Sequence, residues 1–150
     1  MTSDLSRPGY TVDTSVVLKW FVQSNEPDWR QAREIRNAYI QKRCTLRCPE
    51  FLVLELANAL KSGRRFTPAE IKVIAESLRA LNLVLEPLAW STLEKAVDLA
   101  SMFNTAVYDS YFLASAIESG GLLVTADDRF VRRVGKHPNL IPLHHLVLPA

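Results

Sequence analysis

The chain has little from which to build covalent or nucleophilic machinery. Its 150 residues include two cysteines, Cys44 and Cys48, so no disulfide framework is available. A structural zinc site wants four ligands and usually a tighter first pair. Even with His137, His144 and His145 to draw on, two reduced, mostly buried thiols are the expectation. The five glycines form neither a P-loop nor a GxGxxG fingerprint, which removes two common phosphate cradles. There is no Ser-His-Asp set and no Cys-His pair, and Ser110 lacks a nearby general base. No uninterrupted apolar run approaches a membrane span, and residues 1–9 carry no apolar signal region. The expectation is a soluble, cytoplasmic protein without membrane contact. A strong charge of one sign is also missing, because the net charge is only +2.

Charge distribution says more than charge total. Residues 30–47 hold Arg30, Arg33, Arg36, Lys42, Arg43 and Arg47 against the single acid Glu34. Lys61, Arg64 and Arg65 follow, and Arg129, Arg132, Arg133 and Lys136 crowd one short segment. Such patches suit either a polyanion held by its phosphates or ordinary solvated helix faces.

The length fits one domain spanning residues 1–150, with 1–9 and 147–150 as peripheral tails, and allows a sizeable core. Strand-like runs alternate with helical ones. Tyr10–Asp13, Leu46–Cys48, Leu83–Leu88, Leu122–Thr125 and Leu140–Leu143 read as strands, the last an edge strand that tolerates Pro142. Ser15–Val22 and Asp28–Lys42 read as helices separated by a Gln23–Pro27 loop. Another begins at Pro49 and stops at Ser62-Gly63. Thr67-Pro68-Ala69-Glu70 and Ser91-Thr92-Leu93-Glu94 read as capping boxes starting two more. A helix from Thr105 or Ala106 is terminated by Gly120-Gly121, and Asp128–Val134 is a short one. This alternation predicts an α/β fold, a three-layer α/β/α sandwich around a central parallel sheet.

Four acids stand where acids are out of place. Asp13 closes Tyr10-Thr11-Val12, and Glu55 interrupts the apolar run Phe51–Leu60. Asp109 lies within Ala106–Ala114, and Asp127 follows Leu122–Ala126. Ionised carboxylates seldom occupy apolar surroundings unless paired or bound to metal. In open parallel sheets, sites form at the carboxyl ends of strands, where Asp13 and Asp127 stand. Asp109 begins its helix and can point to the same edge, while Asn58 shares a helix face with Glu55. Several carboxylates in one cleft select hard cations, Mg²⁺ or Mn²⁺, and a common use of such a site is phosphodiester cleavage.

Asp13-Thr14-Ser15, Glu55-Leu56-Ala57-Asn58-Ala59-Leu60, Tyr108-Asp109-Ser110 and Thr125-Ala126-Asp127-Asp128-Arg129-Phe130 resemble, in order, the motifs of PIN domains. The likeness is closest to VapC-type toxins and covers about residues 10–143. It implies a metal-dependent endoribonuclease cleaving RNA, usually a homodimer, held inactive by a VapB-type antitoxin. On that resemblance Asp13, Glu55, Asp109 and Asp127 match the metal-binding acids. Ser15 matches a position that orients the first Asp, and Asn58 and Thr125 match supporting positions. Asp128 is expected to cap the helix counted from Arg129, with metal binding as its alternative. Arg129 is expected to pair with Asp127, or otherwise to touch substrate phosphate. Trp20, Phe21, Trp29 and Tyr39 are expected in the core rather than beneath an antitoxin helix, and Tyr108 and Tyr111 are expected to be packing residues.

Three rivals remain. One is a nuclease of the same fold acting in RNA maturation or on DNA without an antitoxin, although the short chain leaves no room for an added RNA-binding domain. Another is a phospho-receiver module, which needs adjacent acids after the first strand, whereas Asp13 is followed by Thr14 and Ser15. The last is a catalytically silent binding protein on the same scaffold, against which the retention of all four acids argues.

Overall fold

Five short runs form one parallel sheet in a computed structural model that describes residues 7–22, 25–63 and 66–150. They are Gly9–Val12 (β1), Thr45–Pro49 (β2), Val84–Glu86 (β3), Leu122–Thr125 (β4) and Leu140–Pro142 (β5), in the order β3-β2-β1-β4-β5. Met1–Ser6, Gln23, Ser24, Arg64 and Arg65 lie outside the described residues, and with them parts of the tail, loop and basic cluster read from the sequence.

Among the described residues seven α-helices flank the sheet: Thr14–Phe21 (α1), Trp29–Ile40 (α2), Leu52–Ser62 (α3), Pro68–Ala80 (α4), Trp90–Phe103 (α5), Val107–Ser119 (α6) and Asp128–Val134 (α7). Helices α1 to α4 pack on one another, whereas α5 packs on α6 and α6 lies across β1, β2 and β4. Right-handed crossovers explain the division. The chain steps from β1 outward through β2 to β3, which puts α1–α4 on one face. It then returns past β1 to β4 and β5, which puts α5 and α6 on the other. The expected sandwich is therefore the fold, and the direction of winding reverses between β1 and β4. No helix among the described residues is long and apolar enough to cross a membrane.

The central strands are buried along almost their whole length, as strands covered on both faces must be. Val12, Leu46, Leu123 and Val124 are wholly buried among Val16, Ile35, Leu52, Phe112 and Leu113. Two glycines let the centre close. Gly120 ends α6 with φ +69°, and a Cβ on Gly121 would stand 2.7 Å from the Gly9 carbonyl oxygen. Cys44 and Cys48 are buried free thiols; burial pushes Cys48 up to about 12 and raises Cys44.

Several boundaries differ from the sequence expectation: the strand read at Leu83–Leu88 spans only Val84–Glu86, and Leu143 lies in a 3-10 turn after β5. Pro49 ends β2 rather than opening α3, because it pairs with Glu86 and the next N–H, of Glu50, still donates to the Glu86 carbonyl. Asp13 lies past β1 and caps α1. Ser91–Glu94 is not a capping box: α5 begins at Trp90 with Ala89 as its cap residue, the Ala89 N–H donates to the Tyr111 hydroxyl, and the Thr92 hydroxyl donates to Glu118. The box at Thr67–Glu70 is present in full, with Pro68 at the first helical position.

Candidate active site

The reversal between β1 and β4 is the topological switch point at which open α/β sheets place their ligands. The ladder pairs Val12 with Val124, so the next residues along, Asp13 and Thr125, meet at the carboxyl edge. Asp13 Oδ1 accepts from the Ser15 hydroxyl at 2.5 Å and from the Val16 N–H at 3.3 Å, and Oδ2 accepts from the Thr125 hydroxyl. The Ser15 oxygen accepts from the Ala126 N–H at 2.9 Å, and the Thr125 oxygen from the Asp127 N–H at 3.1 Å. Ser15 and Thr125 thus tie the two strand ends together and fix the Asp13 carboxylate.

The other acids come from three further elements. Glu55 lies in the first turn of α3, Asp109 in the first turn of α6, and Asp127 at the cap of α7. Burial pushes the Asp13 carboxyl up to about 6 against its hydroxyl and amide donors, and the Asp127 charge adds to the rise. Burial also pushes Glu55 up to about 7, helped by the charges of Asp109 and Asp13. The buried Thr14 hydroxyl pulls weakly the other way without reaching hydrogen-bond geometry. Asp109 is raised by burial and then by Asp127. Glu55 thus feels Asp109 and Asp13, and both of those feel Asp127, so the acids are linked electrostatically.

Among the described residues no three of His, Cys, Asp and Glu stand close enough to ligate one ion as placed. The donor set nonetheless fits a hard divalent cation. All four groups are carboxylates, and Glu55 Oε1 is buried without a hydrogen-bond partner. Asp127 commits Oδ1 to the Phe130 N–H at 3.0 Å and has a second oxygen to offer.

Several side chains depart from their expected places. Asp127, not Asp128, caps α7, while Asp128 is the exposed first residue of that helix. Asn58 is exposed, and among the described residues no hydrogen bond ties it to the acids. Arg129 forms no ion pair with Asp127 among the described residues; the two line one cleft instead. Tyr108 is not a packing residue, being 59% exposed on the same cleft. Tyr111 does pack, edge-on to Phe51. Trp20 and Tyr39 are anchored inward, Trp20 through its indole N–H to the Ala32 carbonyl and Tyr39 through its hydroxyl to the Leu81 carbonyl. Ser110 is buried, and its hydroxyl shares a hydrogen bond with that of Thr105. Thr14 and Arg133 carry no distinguishing sequence signal, Thr14 because it reads as a cap neighbour and Arg133 because it is one of several cations on a short helix.

The basic segments divide. Arg47 pairs with Glu86 at 3.0 Å and Arg43 donates to the Pro149 carbonyl at 2.9 Å, so part of the first patch serves structure. Arg129, Arg132 and Arg133 on α7 are exposed, and Arg129 and Arg133 flank the acids.

A parallel five-stranded sheet between two helical layers in this order is a PIN-like α/β/α sandwich. The chain belongs to the PIN domain family, whose model matches residues 10–136. A comparison with curated protein sequences returns no match. Solved structures similar in fold include a toxin–antitoxin complex from Klebsiella pneumoniae, with a TM-score of 0.65, 15% identity and coverage of 91% of this chain and 99% of that one. Mycobacterium tuberculosis VapC20, a sarcin–ricin loop cleaving toxin, matches with a TM-score of 0.63 and 16% identity, covering 82% of this chain and 93% of its own. FitAcB from Neisseria gonorrhoeae matches at 0.64 and 16%, covering 91% and 99%. At these identities the likeness is one of fold.

Proposed function

We propose that this chain, as one domain, is a Mg²⁺- or Mn²⁺-dependent endoribonuclease and the toxin of a type II toxin–antitoxin pair. It acts in the cytoplasm as a homodimer and is held inactive by a VapB-type antitoxin. The observation that carries the reading is the burial of Asp13, Glu55 and Asp109, drawn from three separate elements, each raised further by the charge of another of the acids. A fold does not gather such charges without a use for them, since each weakens the metal-free state.

Asp13, Glu55, Asp109 and Asp127 would hold the metal, and a bound cation would supply the positive charge that activates water and stabilises the leaving oxygen. The chain's own contribution is positional. Ser15 and Thr125 hold Asp13 in one rotamer, so its carboxylate needs little rearrangement on binding. Glu55 keeps a buried, unpartnered oxygen, and the acids repel a phosphodiester until a cation is present. The toxin assignment draws support from the toxin and toxin–antitoxin structures of similar fold as well as from the ordered motifs.

Purified protein freed of any antitoxin should cleave RNA with Mg²⁺ or Mn²⁺ and stop with EDTA. Asp13→Asn should abolish cleavage, because it keeps the ligand's size and removes its charge. Cleavage that survives both chelation and that substitution would exclude the proposed chemistry.

A further inference from the structure

We infer that Tyr108 and Arg129 form a nucleotide-binding step beside the carboxylates, with the Tyr108 ring stacking on one base of single-stranded RNA and Arg129 holding an adjacent phosphate. The inference rests on the ribonuclease reading and adds to it the groups that grip the substrate. Thr105, Tyr108, Asp109, Asp127, Arg129 and Arg133 line one cleft of about 270 Å³. Two of these are site acids, so whatever enters the cleft passes within reach of the proposed metal position.

Tyr108 directly precedes Asp109 in the first turn of α6, where residues 110–116 are buried without interruption. Tyr108 turns the other way and is 59% exposed. An aromatic ring left in water on the wall of a polar, charged cleft has its π face free, and every base has a π face to meet it.

Arg129 is exposed and has no ion pair among the described residues, although Asp109 and Asp127 line the same cleft. Arg133 lies one helical turn further on and is already committed, its guanidinium donating to the Asn104 carbonyl. Like charges at this spacing on a helix destabilise it slightly. A polyanion relieves that repulsion, and the guanidinium fork suits phosphate oxygens.

The test is binding rather than cleavage. A fluorescein-labelled single-stranded RNA is titrated by anisotropy in Mg²⁺, with every variant built on Asp13→Asn so that the probe survives. Melting temperatures confirm that each variant folds. Tyr108→Ala should weaken RNA binding on the order of tenfold and leave its salt dependence unchanged, while Tyr108→Phe and Tyr108→Trp retain affinity. Arg129→Ala should lower the slope of log affinity against log salt by about 0.7, and Arg129→Lys should keep it. Inorganic polyphosphate, which has no bases, should feel the Arg129 change and not the Tyr108 change. Unaltered affinity in Tyr108→Ala, an unaltered slope in Arg129→Ala, or no RNA binding at all overturns the inference. Cleavage by the wild-type protein alongside either unaltered result would sink this inference alone. The expected binding pattern without any cleavage would sink the ribonuclease reading and leave the RNA contacts standing.

Discussion

Thr125 donates its hydroxyl to the Asp13 carboxylate across the ends of β1 and β4, and the same oxygen accepts the Asp127 N–H. One side chain therefore orients an acid on each of the two strand ends where the winding reverses. Thr125→Val removes both bonds at nearly constant volume. It should destabilise the protein by about 1.5–3 kcal/mol, the usual range for a hydrogen bond to a charged group, and reduce cleavage. Thr125→Ser should restore most of both. Urea denaturation beside a cleavage assay decides the matter; unchanged stability in Thr125→Val would show that this bond holds nothing in place.

The raised carboxyls make a claim about pH. Asp13 at about 6 and Glu55 at about 7 bind protons more tightly in the fold than in the unfolded chain. Their protonation therefore favours folding fully below their ordinary values, near pH 4, and the benefit is lost as pH rises through 6 to 7. In EDTA the urea midpoint should fall between pH 5 and 8, and Asp13→Asn or Glu55→Gln should flatten that fall. Mn²⁺ competes with those protons, so it should raise the melting temperature at pH 8 far more than at pH 5. Exposed Glu94, away from the acids, is the control: Glu94→Gln should leave both the pH dependence and the Mn²⁺ response unchanged. A metal-free midpoint rising over this window, with no melting response to Mn²⁺, would mean that the acids are ordinary structural carboxylates.

What sequence makes visible here depends on how local the cause is. Leu122–Thr125 is a strand with the expected bounds because a buried apolar run is followed at once by polar residues. Gly120 stops α6 because only the residue at that cap needs positive φ. Asp13 stands out because a carboxylate after an apolar strand must find a donor or a cation there. The start of α5 is hidden, since the group satisfying the Ala89 N–H is the Tyr111 hydroxyl, 22 residues away. The choice of Asp127 over Asp128 as cap depends on where the chain leaves β4, which composition does not record. Tyr108 misleads for a related reason. Its apolar neighbours belong to the buried part of α6, and its exposure follows from where the first turn meets the cleft.

Gly121 gives a test of the sheet's closure that does not involve the acids. An added methyl would stand 2.7 Å from the Gly9 carbonyl oxygen, a backbone atom that no rotamer change can move. Gly121→Ala must separate the starts of β1 and β4, and a loss of about 1–3 kcal/mol is expected, the usual range for overpacking. Gly63→Ala meets its nearest atom at 3.3 Å at an exposed helix end and should be far milder. Equal stability of the two variants would show that β1 and β4 can move apart at no cost.

The toxin assignment makes a prediction in cells. Induced without a partner, the protein should arrest growth, because an unrestrained ribonuclease depletes functional RNA. Asp109→Asn should relieve the arrest while the protein still accumulates to the wild-type level, since the half-buried Asp109 is raised by burial and an amide there is spared the charge. A helical antitoxin segment is expected to lie over the basic helices and to place an Arg or Lys into the acid cluster, where it would stand in for the cation. Such a partner should bind the wild-type protein more tightly than Asp109→Asn, and the difference should shrink as salt rises. Wild-type and Asp109→Asn proteins that are equally harmless in several hosts, at equal abundance, would remove the toxin reading and leave a PIN-fold nuclease without an antitoxin as the better account.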